Sequence, residues 1–198
     1  KARELGAQGI GLCRTEHMFF EEERLPLVHQ MILAETTEER GGPLEKLLEI
    51  QKGDFKEILR EMDGLPVVVR LLDPPLHEFL PRYEKLLEEV ITRRMRGGER
   101  EELEAAEKLL KRVETIREAN PMMGLRGCRL GITNPDINEM QVRAIFEAAC
   151  ELKREGYYPK PEVMIPLVGH VNELKVVREQ LERVAREVMT KHGIEIPY

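Results

Sequence analysis

The feature that most constrains this chain is an alternation. Three short apolar runs of strand-forming residues, near 9–12, 65–72 and 162–168, are separated by stretches whose apolar residues recur at three- and four-residue steps. Strands separated by helices of about ten residues or more pair in parallel through right-handed crossovers, as in a doubly wound sheet or a (β/α) barrel. Three strands do not close a barrel. A parallel sheet of this size leaves apolar edges open, so the expectation is one part of a larger α/β body, or an open half-barrel with helices folded over it.

Between the runs, 26–34 and 44–62 read as amphipathic helices, with Gly41-Gly42-Pro43 as a break before the second and Gly53 as a weak point inside it. Residues 82–119 read as a helical hairpin. One arm carries Leu86, Leu87, Val90 and Ile91, the other Leu103, Leu109, Leu110, Val113 and Ile116, with Gly97-Gly98 between them. Thr133-Asn134-Pro135-Asp136 reads as the turn and cap of a helix from 137 to about 155, and a last helix covers 171–189.

The placement of cations points to function. The first run ends on Arg14 and the second carries Arg70 near its end. Ligands of parallel α/β folds collect at the carboxyl edge of the strands, which makes both arginines candidates for an anion site. For Arg14 the plainer alternative is an ion pair with Glu16. Further on, Arg126 and Arg129 lie three residues apart in a glycine-rich stretch without a carboxylate, and they call for an anion from elsewhere. His170, just after the third run, is either an acid–base group at a strand end or the cap of the last helix. The cluster Arg93-Arg94-Met95-Arg96 lies close to the glutamates of 99–104, which favours a solvated helix face over a phosphate or nucleic-acid patch.

Composition narrows the partners. The 31 basic and 37 acidic residues are interspersed and the net charge is -6, which argues against nucleic acid. Cys13, Cys128 and Cys150 are odd in number and lack CxxC spacing, so reduced, mostly buried thiols are expected rather than disulfides or a zinc site. No apolar run approaches the roughly 18 residues that span a bilayer and no leader opens the chain, so a soluble cytoplasmic protein without a membrane partner is expected. The chain opens on Lys1, inside what reads as the last turn of a helix closing on Gly6 or Gly9. It ends on a short apolar segment at 194–198, so a piece truncated at both ends is expected.

Five segments then carry a resemblance: GIGLCRTEHMFF at 9–20, RLLDPPLHEFLP at 70–81, NPMMGLRGCRL at 120–130, MQVRAIFEAA at 140–149 and MIPLV at 164–168. In that order they resemble the phosphoenolpyruvate-utilising enzyme family, and RLLDPPLHEFLP resembles its pyruvate, phosphate dikinase branch. The resemblance implies part of a C-terminal phosphoenolpyruvate/pyruvate-binding domain. Its fold would be α/β, a partial (β/α)8 TIM-type barrel holding about strands two to four, with 82–119 as an inserted helical hairpin. It implies a parent enzyme that interconverts ATP, phosphate and pyruvate with AMP, pyrophosphate and phosphoenolpyruvate through a phosphohistidine on another domain, in a homodimer. Arg14 and Arg70 match catalytic arginines. Arg14, Arg70 and Arg126 match the arginines that hold the phosphoryl group and substrate oxygens, with Arg129 a second choice that is otherwise a partner of Asp73 or Glu16. Such arginines present a fixed fork of donors to phosphate or carboxylate.

The parent's Mg2+ ligands, acid cysteine and phosphohistidine belong to motifs not found in this sequence, and Cys13 and Cys128 match other motifs than that of the acid cysteine. The chain alone is therefore expected to be inactive. A phosphoenolpyruvate synthase, a sugar phosphotransferase enzyme I barrel, and a non-catalytic oligomerising or binding module are the alternatives.

Overall fold

The computed structural model describes residues 1–96, 100–117 and 124–198. Three strands form one parallel sheet in the order β1 (Ile10–Arg14), β2 (Pro66–Arg70) and β3 (Lys160–Met164). After β1 come α1 (Glu16–Phe19), α2 (Leu25–Leu33) and α3 (Thr37–Glu61). Between β2 and β3 lie α4 (Tyr83–Arg96), α5 (Arg100–Ile116), α6 (Cys128–Thr133) and α7 (Pro135–Arg154), and α8 (Val171–His192) follows β3. The chain is thus a mixed α/β structure with a small parallel sheet and many helices, as the alternation demands.

The core forms on one face of the sheet. Val67 and Val69 of β2 point into it with Leu71, and Phe55 and Leu59 of α3, Ile145 and Phe146 of α7, and Val184 and Val188 of α8 close over them. Each such side chain contributes about 1.5–3 kcal/mol of burial. Ala144, Ala148 and Ala149 are fully buried, and these small residues let α7 lie close to both α3 and α8. A second cluster ties α2 and α3 to α6 and the start of α7 through Val28, Met31, Leu47, Leu130 and Ile137. The other face of the sheet is left open: Leu12 is 40% exposed and Met164 41%. Among the described residues, the outer edges of β1 and β3 have no strand partner.

In three places the structure departs from the expectation. Gly41-Gly42-Pro43 does not break the chain, because α3 runs through it with Pro43 inside. Tertiary contacts outweigh the local propensity there. Thr36 Oγ1 caps the helix by accepting from the Glu39 N–H, and buried Arg40 donates to the Met31 carbonyl and to both oxygens of Asp136 at 3.1 and 2.8 Å. Leu44 and Leu47 bury the next turn. The third strand starts earlier and stops at Met164 instead of reaching 168. Beyond Met164, Pro166 lacks a donor for the ladder and Leu167 has φ 56°, so the chain leaves the sheet. The freed Pro166 carbonyl accepts from the Cys128 N–H at 2.9 Å, at the start of α6. Last, the turn before α7 has Asn134 at the cap without a side-chain cap bond, while Asp136 turns to Arg40.

Antiparallel pairing of α4 and α5 is fixed by ion pairs: Arg93 to Glu102 at 2.6 Å, Arg94 to Glu107 at 2.7 Å and Arg117 to Glu84 at 3.3 Å. This is the expected helical hairpin, and its Gly97-Gly98 turn lies outside the described residues. Arg93 and Arg94 hold the two arms together, which is a structural use of the basic cluster.

Candidate substrate-binding site

The site is built where β1 and β2 end. Parallel register makes Arg14 and Arg70 Cα partners on the last rung, so two guanidinium groups leave the sheet side by side at its carboxyl edge. Thr15, fully buried, ties the strands together there by donating its hydroxyl to the Arg70 carbonyl at 2.8 Å.

Two carboxylates complete the arrangement, each over nine-tenths buried. Glu16 opens α1 and accepts from Arg70 at 2.5 Å. Asp73, three residues beyond β2, forms an ion pair with Arg70 at 3.1 Å and accepts from Arg126 at 3.2 Å through one and the same oxygen, Oδ2. The Arg126 Nε also donates to the Asp73 carbonyl at 3.1 Å. Gly127 is held against the same loop: its N–H donates to the Asp73 carbonyl, and at φ 56° an added Cβ would meet the Pro166 carbonyl at 2.9 Å. Glycine at 127 is what permits the 124–128 turn to bring Arg126 to Asp73.

These pairs correct two expectations. Glu16 serves Arg70 rather than Arg14, and Arg14 is exposed with no ion pair among the described residues. Arg126 finds its anion in Asp73. Arg129 takes neither Asp73 nor Glu16. It sits on α6, and its Nε is buried without an acceptor. Arg14, Arg70 and Arg126 are therefore gathered at one edge, while Arg129 lies on a separate helix within electrostatic reach of Glu173. The residues that sequence reasoning missed as a unit are Glu16, Asp73 and Thr15. Their signal was present only as carboxylates and a hydroxyl inside the two arginine motifs.

The edge keeps spare capacity. Glu16 Oε2, Asp73 Oδ1 and the Arg70 Nε are all buried and unpaired, and buried polar groups are normally satisfied. Three arginines against two carboxylates leave a net positive edge, suited to an anion with several acceptor oxygens.

Other candidates separate from this edge. His170 caps α8: its Nδ1 accepts from the Asn172 N–H at 3.1 Å, and Glu173 accepts from the His170 and Gly169 N–H groups. Those two backbone donors hold the Glu173 carboxyl below the usual range. Burial pushes the thiols of Cys13, Cys128 and Cys150 up, with Glu16 adding to the effect at Cys13 and Glu173 at Cys128. All three are free thiols and stay protonated at neutral pH, which makes them poor nucleophiles. Among the described residues no helix is long and apolar enough to cross a membrane.

Comparison with known proteins defines the class. The family described as PEP-utilising enzyme, PEP-binding domain, matches residues 1–197, and the chain belongs to that family. Over its whole length the chain is 53% identical to a pyruvate, phosphate dikinase of Entamoeba histolytica and 50% to one of Rhizobium meliloti. It is 48% identical to the chloroplastic pyruvate, phosphate dikinase 1 of Arabidopsis thaliana. It spans 22%, 21% and 20% of those relatives' lengths.

Proposed function

We propose that this chain is the phosphoenolpyruvate/pyruvate-gripping part of a pyruvate, phosphate dikinase, contributing about strands two to four of a (β/α)8 barrel. The observation that carries the reading is the juxtaposition of Arg14 and Arg70 on one rung, with Arg126 drawn to them by Asp73. The open sheet face, the edge of β3 that has no strand partner among the described residues, and the groove of about 450 Å3 lined by Val163, Ile165 and Leu181 with Glu162, Arg178 and Glu182 fit further barrel units packing there. On this reading residues 1–198 belong to one barrel domain and 82–119 are an insertion in it.

In the parent reaction ATP and phosphate place one phosphoryl group on a histidine of another domain and leave as AMP and pyrophosphate, and the phosphohistidine then passes that group to pyruvate to give phosphoenolpyruvate. Exposed Arg14 meets the incoming phosphoryl oxygens, and Arg70 and Arg126 hold the remaining oxygens of the substrate. Arginine stays protonated throughout, so charge that builds on the transferring group is balanced without any proton movement. Glu16 and Asp73 orient the guanidinium groups and offset their mutual repulsion before an anion arrives.

The carboxylates at this edge do not make a divalent-cation site: Glu16 and Asp73 each give one oxygen to a guanidinium group, and no third His, Cys, Asp or Glu joins them among the described residues. The Mg2+ of the parent is assigned to residues outside this chain, and the chain alone is inactive. A homodimeric parent and a cytoplasmic location belong to the same reading, although plant relatives are named chloroplastic.

Calorimetric titration with phosphoenolpyruvate at low salt, beside an Arg14→Ala/Arg70→Ala double variant, tests the reading. Binding by the wild type that the double variant loses supports it. Equal binding by both sinks it.

A further inference from the structure

Away from the strand edge, the end of α2 and the outer face of α5 enclose a cavity of about 540 Å3. Leu33, Ala105 and Leu109 give it an apolar wall. Lys108, Lys111 and Arg112 line the rest, opposed by the single carboxylate of Glu35. None of its residues belongs to the arginine edge described above.

These three cations share one cavity wall with a single carboxylate between them. Arg93, Arg94, Arg100 and Arg117 of the same helical pair each rest on a glutamate. Lys108, Lys111 and Arg112 have no ion pair among the described residues. Arg112 is half-buried, its terminal nitrogen reaches only the Ala34 carbonyl at a long 3.5 Å, and its Nε is buried with no acceptor. Buried donors are normally paired, so the unpaired Nε leaves the Arg112 guanidinium group with donor capacity to spare. The chain as a whole has a net charge of -6, so this local excess of cations runs against the general field of the protein.

We propose that this cavity binds a small phosphate ester. Its phosphoryl oxygens accept from the Arg112 guanidinium group and the two lysine ammonium groups, and its organic body lies on Leu33, Ala105 and Leu109. A phosphoryl group has three acceptor oxygens for three donors, which suits this set better than a carboxylate with two. The apolar wall adds selectivity for an ester over the inorganic ion. Glu35 remains as an acceptor for a hydroxyl on the organic body, and it disfavours ligands with a second anionic group at that end.

The test uses the whole chain, labelled with 15N and titrated with phenyl phosphate and, separately, inorganic phosphate. Amides of 108–115 and the Arg112 Nε–H are followed. The expected result is saturable shifts on α5, with phenyl phosphate binding about tenfold tighter than inorganic phosphate. Arg112→Gln and the double variant Lys108→Gln/Lys111→Gln each weaken binding by about tenfold or more. The lysine pair lies at the cavity rim, so it keeps the test decisive if Arg112→Gln fails to fold. The shifts persist in Arg14→Ala/Arg70→Ala, which separates this cavity from the strand edge. Absence of saturable shifts on α5, equal binding by the lysine variant, or loss of the shifts in the strand-edge variant overturns the proposal.

Discussion

Arg14 and Arg70 are Cα partners on the last rung of the β1–β2 ladder, yet among the described residues only Arg70 is met by carboxylates. Two like charges at the end of one ladder repel, and the structure offsets this from one side alone. Glu16 and Asp73 hold Arg70 in place, and Arg14 is left facing solvent. The asymmetry divides the labour at the edge between one fixed cation and one available cation.

Asp73 is the residue on which that arrangement turns, since its Oδ2 serves both Arg70 and Arg126. Asp73→Ala leaves two partly buried guanidinium groups without their shared partner, a change that costs about 3 kcal/mol. Urea unfolding should show that loss, with a smaller one for Asp73→Asn, which keeps an acceptor oxygen. A variant as stable as wild type would mean that the bridge contributes nothing to the fold.

How much of this was legible in the sequence depended on the range of the interaction. β1 and β2 were legible because alternating apolar residues and a β-branched run are local signals, and the arginines followed from their position at the strand ends. The partners were not, since Glu16 meets Arg70 across 54 positions and Asp73 meets Arg126 across 53. Which carboxylate pairs with which arginine is decided by packing that no spacing encodes. Pro43 failed for the opposite reason: its local signal is strong, and distant Asp136 together with buried Leu44 and Leu47 overrode it.

Arg40 and Asp136 join α3 to α7 through a pair whose side chains are only 11% and 17% exposed. Removing one partner strands the other, so Arg40→Met and Asp136→Leu should each cost about 3 kcal/mol. The double variant should recover most of that loss, because a well-packed apolar pair often replaces a buried ion pair without penalty. A double-mutant cycle by chemical denaturation measures the coupling. Simple additivity of the two losses would count against it.

Acid sensitivity should localise to the other α3–α7 contact. Lys56 holds the Glu151 carboxyl below its ordinary range, and the Glu151 and Glu155 carboxylates raise Lys56. A depressed carboxyl contributes stability above its unfolded value of about 4.3, and that contribution is lost as pH falls through the folded value. A raised ammonium contributes below about 10.4, and its share is lost as pH rises through the folded value. The contact is therefore fully present between about pH 5 and 10. Glu151→Gln should lower stability at pH 7 by under about 1 kcal/mol and converge with wild type as pH falls through the folded value of Glu151. Parallel pH curves for the two proteins would exclude Glu151 as a source of the acid limb.

Glycine substitutions should divide by environment. Gly41, Gly42 and Gly53 lie inside α3, and a Cβ added at any of them meets nothing within 4 Å. Alanine is better than glycine in a helix interior by about 1 kcal/mol, largely because it narrows the unfolded ensemble. Gly41→Ala/Gly42→Ala/Gly53→Ala should therefore raise stability by about 2–3 kcal/mol and the melting temperature by about 5–10 °C. Gly9→Ala is the counterpart. There the new Cβ meets the Pro66 carbonyl at 2.9 Å, a backbone atom held by the sheet. It must push β1 away from β2 at the root of the ladder that ends in Arg14 and Arg70, so its sign is negative. Stabilisation by Gly9→Ala would show that the two strands are held less closely than this spacing requires, whereas a loss beside the gain in α3 ties glycine at 9 to strand contact.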